Sequence, residues 1–170
     1  MDAFTIFGLQ LVATLVTFAL VARWYAWPWL ARLPRATAFV PLLLVHTLRP
    51  IGLTLLVPAV VDPALPRSFS ESVGYGDLIA SGLAFLAIAG LRLRWPFAVA
   101  LVWLMNLEGG VDLLNALAQG ATSNLTKYQL GAAWFIPTYL VPLLLVTHVL
   151  MFVLLVRGEP ATVAARAHAA

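Results

Sequence analysis

Apolar residues in this chain run in five long stretches, at about 4–22, 37–61, 73–91, 95–118 and 131–156, separated by short polar connections. Strict alternation, the mark of a half-buried strand, is missing from all five, and most are apolar nearly all round. A helix crossing a hydrocarbon core of about 30 Å needs about 20 such residues. Each stretch is long enough. The pattern predicts an all-α, polytopic membrane protein, a bundle of five transmembrane helices forming one domain over residues 1–156, with a short cytoplasmic tail at 157–170.

Composition supports that class. Of 170 residues, 62% are hydrophobic and 10% charged, against about 25% charged in a soluble domain. So few charges cannot clothe a water-facing surface, which makes the lipid bilayer the first partner. The formal net charge of +3 comes from basic residues scattered singly between apolar runs. That excludes a nucleic-acid face, which gathers its charge on one side. Nine of the ten basic residues are Arg, a bias of G- and C-rich genomes, and the expected location is a bacterial inner membrane. With no cysteine, thiolate chemistry and Cys-based metal sites are excluded.

The same residues orient the chain. Arg23, Arg32 and Arg35 follow the first stretch, Arg92 and Arg94 the third, Arg157 and Arg166 the fifth, whereas Arg67 and Lys127 stand alone on the other side. The positive-inside rule then places the N-terminus outside and the C-terminus in the cytoplasm. Trp24, Tyr25, Trp27, Trp29 and Trp95 fall at the inner interface and Trp134 near the outer one, as an aromatic belt requires. Segment 24–35, with two prolines, reads as an interfacial stretch, and an aromatic lipid-binding shelf there is the alternative.

Function has to be sought among the few polar residues inside the runs. Gln10, Thr14 and Thr17 make a stripe on the first helix, suited to hydrogen bonding with a neighbouring helix. On the second, His46 and Arg49 share a face, and Pro50 removes the amide that would bond the His46 carbonyl, which predicts a kink. On the fourth, Glu108, Asp112, Asn115 and Gln119 recur at helical spacing in a stripe about 60° wide, with Asn106, Gly110 and Leu113 opposite. On the fifth, His148 lies near the depth of His46, and Pro137 and Pro142 should free the carbonyls of Ala133 and Thr138. Asp77 sits near the outer end of the third, one turn before Ser81. Ionised groups at the bilayer centre cost about 2.5–3.5 kcal/mol each, so they turn inward and pair. Arg49 is the expected partner of Glu108 or Asp112.

Three functions fit these groups, and no motif decides whether the protein is an enzyme. A midplane cavity could bind or convert a lipidic or small apolar molecule, with Glu108 or Asp112 as the catalytic proton donor or acceptor and His46, Arg49, Asp77, Asn115 and His148 as ligand-binding residues. His46 and His148 could instead be axial ligands of a b-type haem, the one cofactor the residues suggest; no other metal site is expected. The third is a proton-linked transporter or an assembly subunit without chemistry, and a homo-oligomer is compatible with all three. Separately, Ser72-Val73-Gly74-Tyr75-Gly76-Asp77 resembles the selectivity filter of potassium channels, in which backbone carbonyls replace the ion's hydration shell. The preceding segment, broken by Pro63 and Pro66, is poorly suited to a pore helix, and these residues are read as a glycine-rich helix start.

Overall fold

A computed structural model describes residues 1–157. Among them there are only helices and turns, in five successive helical segments: α1 (Ala3–Leu30), α2 (Arg35–Leu56), α3 (Arg67–Arg92), α4 (Ala98–Thr122) and α5 (Gly131–Val156). Four of them, α1, α2, α3 and α5, are long and apolar enough to cross a membrane. The predicted fourth span is weaker than expected: α4 carries Asn106, Glu108, Asp112 and Asn115 within its length. The proposed tail, apart from Arg157, lies outside the described residues.

Local chemistry explains the breaks and joins. Asp2 caps α1, its Oδ1 accepting from the Thr5 amide at 2.8 Å; hydrogen bonding with Thr5 holds its carboxyl below the usual range. Residues 24–30 of segment 24–35 continue the first helix. The helix runs through a π-turn at Ala22–Ala26 into Trp27–Leu30, the wider turn falling just before Pro28, whose missing amide would break a regular α-helical ladder. The kink expected in α2 is present: regular α-helix stops at His46 and resumes as a 3-10 segment, Arg49–Leu56. The second run also ends earlier than its apolar composition implied, since Val57 is already extended. α3 begins at Arg67, directly after Pro66. Residues 72–77 therefore lie inside a regular helix, with their carbonyls in its ladder, and the filter resemblance does not survive.

In α5 a π-turn, Ile136–Leu140, precedes Val141–Val156. Pro142 has no amide to offer the Thr138 carbonyl, and the Thr14 hydroxyl of α1 donates to that oxygen at 2.5 Å. One turn away, Trp134 Nε1 donates to Gln10 Oε1 at 2.6 Å. Two of the three stripe residues on α1 thus bind a neighbour, while the Thr17 hydroxyl donates to its own Ala13 carbonyl. α1 rests on α5 and buries no residue between Ala3 and Val21.

The interior has two main apolar cores. One, around Phe39, Leu43, Ala84, Val102 and Met151, lies at the arginine-rich end. The other, around Leu55, Phe69, Leu125 and Ile136, lies at the opposite end. There the loops before α3 and α5 are joined, with the Asp62 amide donating to the Gln129 carbonyl at 2.7 Å. Gly131 makes the joint possible: its φ is +51°, and a Cβ would lie 2.5 Å from the Val60 carbonyl oxygen. Gly131→Ala should cost at least about 1–2 kcal/mol through left-handed strain alone, read as a lower melting temperature in detergent.

Candidate functional site

Between the two cores lies a polar layer, and Arg49 is its centre. The side chain is completely buried, and each nitrogen has an acceptor. Nε donates to Asp77 Oδ1 at 2.6 Å, Nη2 to Asp112 Oδ2 at 2.5 Å, and Nη1 to the Gly109 carbonyl at 3.0 Å. Pro50 sets this up, because the tighter 3-10 turn begins at Arg49 itself. One guanidinium thus ties α2 to both α3 and α4.

Three glycines make the approach possible. A Cβ on Gly52 of α2 would collide with the Asp77 carboxylate of α3, and one on Gly76 of α3 with the Asp112 carboxylate of α4. A Cβ on Gly109 of α4 would lie 2.8 Å from Arg49 Nη1 and 3.2 Å from His148 Cε1. Each helix therefore gives up a side chain to receive a charged group from another. These glycines and Asn106 were not recognised in the sequence as site residues. The signal for Gly52 and Gly76 was their spacing, three residues after Arg49 and one before Asp77.

The histidines form the other half of the layer. His148 Nδ1 is 2.7 Å from Asn106 Oδ1, and Asn106 Nδ2 is 3.4 Å from the His148 carbonyl. An amide oxygen only accepts, so His148 carries its proton on Nδ1 and leaves Nε2 as a bare acceptor. The Thr147 hydroxyl donates to the backbone, with the Leu144 carbonyl at 2.9 Å. His46 Nε2 lies 3.0 Å from that hydroxyl oxygen, and its Nδ1 faces no partner. His46 Nδ1, His148 Nε2 and Glu108 Oε2 are all buried without a hydrogen-bond partner. The layer therefore has three unused hydrogen-bonding positions.

The structure brings His46, Arg49, Asp77, Asp112 and His148 together, and Asp77 rather than Glu108 is the second partner of Arg49. Glu108 is half-buried beside the pair, and Asn115 is exposed and outside the site. Helix geometry explains the difference. The buried face of α4 holds Val102, Met105, Asn106, Gly109 and Leu113. At about 100° per residue, Asp112 stands about 60° from Gly109, Glu108 about 100° and Asn115 about 120°. The carboxylate stripe therefore lies on the flank of the helix, beside the face that packs.

The two imidazoles are in contact, with ring centroids 4.3 Å apart and planes at 59°. Axial ligands of one haem stand on opposite sides of a flat macrocycle, and rings that touch leave no space for it. Among the described residues no group of three or more His, Asp or Glu is arranged to hold a metal ion. A cavity of about 240 Å³ opens one turn outward, lined by Leu55, Val73 and Ala116, which stand three or four residues beyond Gly52, Asp77 and Asp112.

Residues 6–156 match the family model described as Domain of unknown function (DUF8737). The chain belongs to this family. No curated protein and no solved structure matches it.

Gly52→Ala and Gly76→Ala should each displace a carboxylate from Arg49 and cost about 2–4 kcal/mol, the range for damaging a buried ion pair. Gly82→Ala, on α3 with nothing within 4 Å of the added Cβ, should be neutral or slightly stabilising. Thermal unfolding of the three variants in detergent checks the contrast.

Proposed function

We propose that this is an integral membrane protein whose five helices all cross the bilayer, N-terminus outside, and that it binds a small apolar or lipidic molecule in the cavity above the charged layer. Large apolar side chains face outward on every helix: Leu9 is 60% exposed, Leu44 51%, Phe85 59%, Val111 66% and Val149 60%. Such a surface suits lipid rather than water. On this account α4 spans too, with Asn106, Glu108 and Asp112 turned toward neighbours and Leu104, Val111 and Leu114 outward. The basic residues support the orientation, with Arg23, Arg32, Arg35, Arg92, Arg94 and Arg157 at one end and Arg67 and Lys127 at the other.

The cavity carries the ligand reading. It is enclosed by Phe7, Phe69, Leu125 and Ile136, a wall without charge, and it meets the bundle interior next to the ion-pair layer. Apolar lining with a few polar groups nearby is the common form of a small-molecule site. Asp77 and Asp112 are held by Arg49, so the carboxyl left for proton transfer is Glu108. The three unpartnered polar atoms favour proton handling as a second function, with Glu108, His46 and His148 as the groups that would take part.

Purified protein in detergent, titrated with the fluorescent fatty acid cis-parinaric acid, should bind about one equivalent saturably. Ala116→Phe, which fills the cavity, should weaken binding at least tenfold with little change in melting temperature. Equal binding by both proteins would refute the cavity assignment.

A further inference from the structure

The arginine-rich end holds a second cavity, of about 520 Å³, between the start of α2 and the end of α3. Its rim carries Arg92, Arg94, Trp29 and Thr37, and its inner wall Val40 and Leu91. Both arginines are exposed, and neither has an ion-pair or hydrogen-bond partner among the described residues. Among the described residues no acidic side chain stands near to answer them. Asp2, Asp62 and Glu71 belong to the opposite end, and Asp77, Glu108 and Asp112 to the central layer.

Arg94 occupies an unusual backbone position. After α3 its φ is +56°, and the Trp95 amide bonds back to the Gly90 carbonyl at 2.9 Å, which closes a helix end normally finished by glycine. A non-glycine residue there carries strain. In return, the guanidinium of Arg94 is set at the mouth of the groove two residues from that of Arg92.

We infer that this groove is a binding site for the phosphate-bearing headgroup of an anionic phospholipid. The inference rests on the membrane reading above. Two unpaired guanidiniums match phosphate oxygens in fork geometry, the Thr37 hydroxyl is a third donor, and Trp29 stands where an indole settles at headgroup depth. Val40 and Leu91 form an apolar flank for the first carbons of an acyl chain. Basic pockets between helices on the positive side of a membrane protein take anionic headgroups in this way.

The test reconstitutes the full chain into phosphatidylcholine nanodiscs and measures partition of fluorescent phosphatidylglycerol and phosphatidylcholine to the protein by energy transfer from its tryptophans. Phosphatidylglycerol should be preferred at least tenfold. Arg92→Gln and Arg94→Gly should each reduce that preference about fivefold. Because Arg94→Gly relieves the left-handed strain, its melting temperature should be equal or higher, which separates loss of binding from loss of fold. No preference, an unchanged preference in the Arg92→Gln/Arg94→Gly double variant, or full competition by millimolar inorganic phosphate would each overturn the lipid assignment. Failure to enter nanodiscs at all would overturn the membrane reading, and this inference with it.

Discussion

A single buried guanidinium with three acceptors organises this bundle. A cation in a nonpolar interior is costly, and the cost is offset only when counter-charge and hydrogen bonds are complete. Arg49 meets both conditions by drawing Asp77 from α3 and Asp112 with the Gly109 carbonyl from α4. The requirement propagates through the backbone. Proline at 50 turns the helix so that Arg49 points inward, and glycines at 52, 76 and 109 let three helices close around one point. Lost side-chain packing at those glycines is exchanged for charge compensation.

That arrangement divides the protein into zones. Aliphatic and aromatic packing fills both ends, and polar contacts fill the middle, where Ser81 also donates to the Thr47 carbonyl at 3.2 Å. α1 stands apart, attached through Gln10 and Thr14 to α5 where prolines have loosened its hydrogen-bond ladder. In the membrane-spanning arrangement proposed above, polar attachment of this kind is what would hold α1, since apolar faces gain nothing by leaving one hydrocarbon environment for another. The layer itself is closed around the ion pairs but not saturated, because two imidazole nitrogens and one carboxyl oxygen are left without partners.

Much of this was legible in the sequence. Five apolar runs gave five helices, because length and hydropathy are properties of each segment by itself. Arg49 with Pro50, and the two histidines at similar depth, pointed to a shared layer for the same reason: rise per residue converts position into height. What depends on rotation was harder. Glu108, Asp112 and Asn115 share a stripe, yet which edge of that stripe faces inward is set by Gly109 and Asn106, small or neutral residues that carry no hydropathy signal. Asp77 was visible as an acid inside an apolar run, but its partnership with Arg49 depends on the close approach of α2 at Gly52, a pairwise fact that no single run contains. The filter-like hexapeptide was read as helix from its proline-broken approach, and within α3 its glycines serve helix packing instead of an ion path.

The most direct test is a stability cycle on the charged triad, following unfolding in detergent. Arg49→Met alone should cost about 3–5 kcal/mol, because it strands two carboxylates. Adding Asp77→Leu and Asp112→Leu to the same chain should recover most of that loss, the signature of a coupled ion-pair centre. If the three substitutions instead add their losses independently, Arg49 is not the joint that holds α2, α3 and α4 together.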